Sequence, residues 1–427
     1  MDRSRLVYDW NRAAGEGRPR HVPVELVDET LRDGLQSPSA VTPTVDQRFE
    51  LVCLMERLGV DTAILGIPAA GSTARAECEA LASLVTDARL AVQPGFAART
   101  LASDIEPVVE IAQRVGRTFE MTTFIGSSPI RQYVEDWDLS KMMKLTRDAV
   151  TMGVREGLLV TYVTEDTTRA RPEDLVALYG TAIQAGATRI CACDTVGHAT
   201  PEGAGALVGF LAEFVARENT AVRIDWHGHQ DRGLAVANSL AALRAGAHRV
   251  HGCGLGLGER VGNAPMDQIL VNLRLLGWID RDLSALADYV KKVAAYAKVP
   301  IPDGYPVVGR DAFRTGTGGH AAAIVKAWAK GDDWLADRVY SGVPAGMFGL
   351  KQVIEVGPMS GESNVVAWLK ERGLEEGHER VAAILRAAKL ANHVLADAEI
   401  RAILGSFPEG GDPAGARDAS PPASVKS

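Results

Sequence analysis

The chain has 427 residues, 46 basic against 54 acidic, with a net charge of −8, 46% hydrophobic and 23% charged content. Such a length and composition supply a large soluble core, and the negative balance opposes nonspecific attraction to nucleic acid or an acidic membrane face. No apolar run reaches the roughly 18 residues of a membrane span, so small molecules are the expected partners.

The first 20 residues lack the apolar stretch of a secretory signal. The cysteines (Cys53, Cys78, Cys191, Cys193, Cys253) are odd in number and scattered, which argues for a reducing, cytoplasmic setting. Residues 1–21 are polar and arginine-rich and read as an arm outside the main body. A first strand is expected at 24–28, with Glu29-Thr30-Leu31-Arg32-Asp33-Gly34-Leu35-Gln36 at its carboxyl end, where a parallel barrel gathers catalytic groups. Thr44 and Gln47 have capping-box spacing, and Leu51, Leu54, Met55 and Leu58 recur on one helix face.

Further strands are expected at 62–67, 90–95, 119–125, 157–163 and 189–193. A helix is expected at 104–115, and others open at Pro172 and Pro201. Residues 224–229 form the seventh strand, 238–245 a helix, and 249–254 the eighth strand, which runs into a glycine-rich turn. Eight βα units in about 260 residues predict a (β/α)8 TIM barrel over 22–285, with a doubly wound open sheet as the alternative. Residues 284–298 read as a helix and 299–306 as proline-marked. The stretch 286–308 is thus expected to link the barrel to a mostly helical region over 309–405. Residues 406–427, rich in Pro, Gly, Ala and Ser, cannot bury a core and are expected to be disordered.

His227 and His229 are spaced i, i+2, which on a strand turns both imidazoles to one face. In a closed barrel, Asp33 past strand one and the histidines ending strand seven share a mouth. Two imidazoles and a carboxylate can grip a cation and leave positions open, as a catalytic site requires. Asn263 is either a further oxygen ligand or a residue that structures the loop. Arg32 could offset the charge of a carboxylate or enolate, or pair with a barrel acid. Glu165 and Asp166 end strand five and either orient a base or cap a helix. Gly252, Gly254, Gly256 and Gly258 permit close approach to a phosphate-bearing ligand, or simply make a tight turn. Cys191 and Cys193 read as small buried thiols. His248, His251, His378 and His393 read as structural or surface residues, whereas His320, set in Gly-Thr-Gly-Gly, reads as a side chain presented by a loop.

Three motifs together resemble the DRE-TIM metal-dependent enzymes: Asp28-Glu29-Thr30-Leu31-Arg32-Asp33-Gly34, His227-Gly228-His229, and Gly256-Leu257-Gly258-Glu259-Arg260-Val261-Gly262-Asn263. Within them the chain is most similar to the acetyl-CoA Claisen-condensing branch, the 2-isopropylmalate, homocitrate and citramalate synthases. The similarity runs over about 22–373, including Asp194-Thr195-Val196-Gly197 and Tyr340-Ser341-Gly342. It implies a divalent metal (Mg, Mn or Zn) on Asp33, His227 and His229 with Asn263 close by, and Arg32 on the keto acid or enolate. It further implies acid/base work by His320 assisted by Glu165 and Tyr340, acetyl-CoA near Gly254, Gly256 and Gly258, Thr195 and Arg131 at the substrate, and a homodimer.

Departures from the family pattern, Ile64 for an acid on strand two, Gln230 for an asparagine, Arg131 for a histidine and His198, surround the keto-acid pocket. The substrate expectation is 2-ketoisovalerate, with pyruvate and 2-ketoglutarate behind it. A lyase of the 3-hydroxy-3-methylglutaryl-CoA type, whose Arg-Asp-Gly-Leu-Gln matches residues 32–36, is the competing class. The leucine-feedback domain of many isopropylmalate synthases has no counterpart in the sequence, so no such inhibition is expected.

Overall fold

A computed structural model describes residues 3–13, 23–218 and 221–407. Eight parallel strands, β1 (Glu25–Asp28), β2 (Thr62–Ile64), β3 (Gln93–Arg99), β4 (Glu120–Gly126), β5 (Leu159–Glu165), β6 (Arg189–Asp194), β7 (Arg223–Gly228) and β8 (Arg249–Gly252), pair in sequence order. β8 returns to β1, with Glu25 opposite Arg249 and Asp28 opposite Gly252, and closes the barrel. Each strand leads to a helix on the outside: α1 (Val45–Arg57), α2 (Ser72–Asp87), α3 (Ala102–Val115), α4 (Leu139–Arg155), α5 (Pro172–Gln184), α6 (Pro201–Glu218), α7 (Ala235–Ala245) and α8 (Met266–Leu275). The (β/α)8 expectation therefore holds and the open sheet is excluded.

The local chemistry explains the elements. Thr44 and Gln47 form the predicted reciprocal cap of α1, and Leu51, Leu54 and Met55 bury its inner face. The third strand runs from Gln93, later than the expected 90–95. Pro94 and Gly95, read as its end, stand near its start. Pairing with β4 begins only at Gly95 opposite Glu120, so the missing N–H of Pro94 falls before that ladder and costs no hydrogen bond.

The chain divides into two compact units, one up to Ala312 together with Met347–Leu350, the other Phe313–Gly346 together with the chain from Lys351. The stretch 286–308, expected to link the two regions, opens with the helix read at 284–298. This is α9 (Leu286–Ala297), whose Leu286, Tyr289, Val290 and Val293 are buried within the barrel unit. Tyr289 hydrogen-bonds Asp28 and Thr30 beside β1.

The second unit is mainly helical: α10 (Gly318–Ala329), α11 (Glu362–Glu371), α12 (His378–Leu390) and α13 (Asp397–Leu404), with a two-residue parallel pair of β9 (Arg314–Thr315) and β10 (Val353–Ile354). Its larger core gathers Val365, Trp368, Leu369, Ile384 and Ile400. Of the arm expected at 1–21, residues 3–13 are described and include the helical turn Trp10–Ala13. The tail expected over 406–427 lies, past Phe407, outside the described residues. No described helix is long and apolar enough to cross a membrane.

Candidate active site

At the carboxyl ends of the strands lies a cavity of about 180 Å³ lined from β1 through β8. Its first wall comes from the turn after β1. Asp28 Oδ1 accepts the Thr30 N–H at 2.8 Å, and Thr30 Oγ1 accepts the Gly254 N–H at 2.7 Å. The β1 turn is thereby locked to the β8 turn, and Asp33 is carried over the barrel axis. β7 supplies His227, with His229 one step past its end, both buried.

The three predicted ligands meet. Asp33 Oδ2 lies 3.2 Å from His227 Nε2 and 3.4 Å from His229 Nε2, and the two nitrogens are 3.3 Å apart. A cation with ligand bonds of about 2.0–2.2 Å spans polyhedron edges of roughly this length. Burial alone would raise the pKa of Asp33, but the Arg32 charge and the neighbouring histidines outweigh it and hold the carboxyl well below its usual range. Burial pushes His227 down and so favours the neutral, ligating imidazole. Among the described residues, Asp33 Oδ2 and Asn263 Oδ1 are buried without a hydrogen-bond partner. Such groups are costly unless something absent from the polypeptide satisfies them, and a divalent cation fits this donor set.

Asn263 structures the loop: its Nδ2 donates to Leu257 O at 3.0 Å, and its backbone bridges to that of His229. Glu165 lines the cavity, and burial raises its pKa. Asp166 is committed elsewhere, accepting from Ser128 and Arg169, so of this acidic pair only Glu165 is available to a ligand. Thr195 lines the cavity while its hydroxyl accepts the Asp166 N–H at 2.8 Å. Arg131 sits back from the lining and pairs with Glu135 at 3.2 Å and Glu165 at 3.8 Å.

His320 and Tyr340 belong to the second unit, where their rings stack. The glycines expected near a phosphate-bearing ligand stand where close packing requires glycine. A Cβ on Gly254 would meet Tyr289 at 2.8 Å, on Gly256 the Asn263 carbonyl at 2.8 Å, and on Gly258 the Asn263 side chain at 2.3 Å. On the Cβ side these positions are therefore closed to any larger residue.

Two cavity residues escaped the sequence reading. Glu29 and His251, the latter read as structural or surface, are buried in the lining. With His227 they form a second group able to converge on an ion. That group is internally satisfied, because Glu29 receives Arg32 at 2.8 Å while His251 contacts Glu29 and Asp225 at 3.2 and 3.4 Å. Burial lowers the pKa of His251, but those two carboxylates raise it overall, which favours an imidazolium that no cation would bind. The alternation of β8 carried the signal. Val250 faces the helices, so Arg249 and His251 on either side must point into the barrel.

A TIM barrel with a carboxylate, two imidazoles and an arginine at its catalytic mouth is the architecture of a metal-assisted barrel enzyme. The chain belongs to the HMGL-like family, whose sequence pattern matches residues 23–293, and these are the DRE-TIM enzymes its motifs resemble. It is 32% identical over 377 residues to the homocitrate synthase AksA of Methanopyrus kandleri, covering 87% of this chain and 89% of that one. It is 31% identical over 360 residues to a 2-isopropylmalate synthase of Methanocaldococcus jannaschii, covering 83% of this chain but only 65% of that longer relative. Among solved structures, the HMG-CoA lyase of Brucella melitensis superposes with a TM-score of 0.54 at 17% identity, covering 65% of this chain and 99% of that one. At that identity the likeness concerns the fold alone.

Proposed function

We propose that this chain is an acyltransferase that condenses acetyl-CoA with a small 2-keto acid, 2-ketoisovalerate first, giving 2-isopropylmalate and CoA, as in leucine synthesis. The observation that carries the reading is the meeting of Asp33, His227 and His229 within 3.4 Å beside Arg32 in a buried cavity. These three side chains would hold the divalent cation, with Asn263 Oδ1 beside them. A cation held there supplies Lewis acidity to the carbonyl of a keto acid.

The remaining work falls to the polypeptide. Arg32 takes the keto acid's carboxylate and offsets negative charge as it builds on the attacked oxygen. Ile67, Ala97, Phe124 and Val163 line the cavity as apolar groups, which suits an aliphatic keto-acid side chain better than the second carboxylate of 2-ketoglutarate. His320, with Tyr340 and Glu165, supplies the acid/base groups that take the proton from the acetyl methyl and return one to the new alkoxide, and water then hydrolyses the thioester of that adduct, its hydroxyl going to the new carboxyl group and its proton to the departing CoA thiolate. Thr195 and Arg131 bear on substrate fit, and the working form is a homodimer.

A free-thiol assay over a panel of keto acids with divalent metal present tests the reading. CoA release highest with 2-ketoisovalerate supports it, and no release with any keto acid overturns it.

A further inference from the structure

Glu29 lies outside the Asp33, His227, His229 group, yet it is among the most constrained side chains of the barrel. Its Oε2 accepts from Arg32 Nε at 2.8 Å, and its Oε1 meets His251 Nδ1 at 3.2 Å. His251 Nε2 lies 3.4 Å from Asp225 Oδ2. Asp225 in turn accepts from Arg249 Nε at 2.7 Å and Arg189 Nη1 at 3.1 Å, and Arg249 reaches across to Glu120 at 2.9 Å. A row of alternating charge thus runs from the cavity into the barrel core: Arg32, Glu29, His251, Asp225, Arg249, Glu120. Glu29, His251, Asp225, Arg249 and Glu120 are all buried, so each link is held in a place water does not loosen.

Arg32 is the end of that row and, of its members lining the cavity, the most exposed, its side chain at 17% against 3% for Glu29 and 2% for His251. An arginine carries a planar fork of donors on a flexible stem. Which edge of the fork faces a ligand depends on what holds the other edge. Here the Nε edge is taken by Glu29, while Nη2 stands 3.7 Å from Asp33 Oδ2, toward the cavity side.

We infer that Glu29 is a positioning residue that aims the Arg32 guanidinium into the cavity, anchored through His251 to the charged core. The assignment rests on the role proposed above for Arg32 in holding a keto acid's carboxylate. Glu29→Gln keeps the side chain's size and one acceptor but removes the charge that fixes the arginine.

The full chain carrying Glu29→Gln is expected to retain its bound metal and to show a KM for the keto acid raised about tenfold, with the KM for acetyl-CoA within about twofold. A purely structural role would instead lower kcat and stability without that split. Unchanged keto-acid KM overturns the inference, and so does loss of the metal, which would make Glu29 a ligand. Should Glu29→Gln not fold, Glu29→Asp carries the same test, because shortening by one methylene breaks the 2.8 Å contact.

A readout free of turnover separates this inference from the proposed reaction. Phenylglyoxal modification of Arg32, followed by peptide mass spectrometry, is expected to run about fivefold faster in the variant than in the wild type as the fork is released. An equal rate overturns the positioning role whether or not any keto acid is a substrate.

Discussion

The imidazole of His320 stacks on the phenol ring of Tyr340, with centroids 4.0 Å apart and planes 25° from parallel. Tyr340 is 54% exposed on its own, so neither ring is locked by a surrounding core and each fixes the other's plane. Stacking of this kind engages the face of the imidazole rather than its nitrogens and limits rotation of the ring. Tyr340→Ala removes the support and is expected to lower kcat for CoA release about tenfold or more, the order of one general acid–base group imperfectly held. Tyr340→Phe keeps the ring and is expected to stay within about threefold. Equal losses in the two variants would move the role from the ring to the hydroxyl.

The cation grip gives a second prediction. His227→Ala removes one corner of a triangle whose sides are 3.2, 3.3 and 3.4 Å, and two remaining ligands are a weak hold. Metal content by elemental analysis should fall to background, and CoA release should fall with it. In the wild type, dialysis against a chelator should remove activity reversibly and lower the melting temperature. A metal at 100 times its dissociation constant stabilises by about 2.7 kcal/mol, an effect readily seen in a thermal scan. A variant that keeps its metal and turnover would remove the triad from the mechanism.

Much of this was legible in the residues because barrel strands have a strict period of two. Trp226 faces the helices, so Asp225 and His227 must face inward, and the closed barrel brings His227 to Asp33 from 194 residues away along the chain. Periodicity did not tell which inward polar groups are engaged by one another and which are left open. His251 and His227 occupy equivalent positions on adjacent strands, yet one lies between two carboxylates and the other lacks such a pair. The glycine turn was legible as a place of close approach, but not what it approaches within the fold. Gly254, Gly256 and Gly258 make close approach possible, but only the fold shows that Tyr289 and Asn263 occupy the space. Helix α9 was legible at 284–298, but not the contact its Tyr289 makes with Asp28 and Thr30.

A third prediction concerns pH. Asp267 at the start of α8 accepts the Leu255 N–H at 3.1 Å through one oxygen, and burial pushes its pKa up from 3.8 to about 6 despite the hydrogen bonds that lower it. Asp28 is likewise pushed up to about 6 by burial. A carboxyl whose folded pKa exceeds its unfolded value binds its proton more tightly when folded. Its contribution is therefore complete below about pH 4 and lost as pH rises through about 6. Two units correspond to roughly 3 kcal/mol, so Asp267→Asn, which stays neutral, should melt higher than the wild type at pH 8, keep about half of that advantage near pH 5 and lose it only below about pH 4. A melting difference independent of pH would mean that Asp267 is ionised at neither value or at both.

The glycine turn offers the sharpest steric test. Gly262 has φ +97°, and a Cβ built on it would stand 1.8 Å from the Gly256 carbonyl oxygen, the same oxygen that accepts the Asn263 N–H at 2.8 Å. An alanine there cannot be met by a rotamer change, because the obstacle is backbone on the facing side of the turn. The turn must open, and opening it moves Asn263 and the bridge to His229. Gly116, the cap of α3, provides the control: its φ is +70° but nothing lies within 4 Å of its Cβ position. Gly116→Ala should cost only the left-handed backbone penalty of about 1–2 kcal/mol. Gly262→Ala should cost clearly more in a denaturant melt, and the protein that does fold should bind metal more weakly than the Gly116 variant. Equal stability and equal metal affinity in the two would mean that the turn is loose, and that Asn263 is not held against His229 by the packing of Gly262 on Gly256.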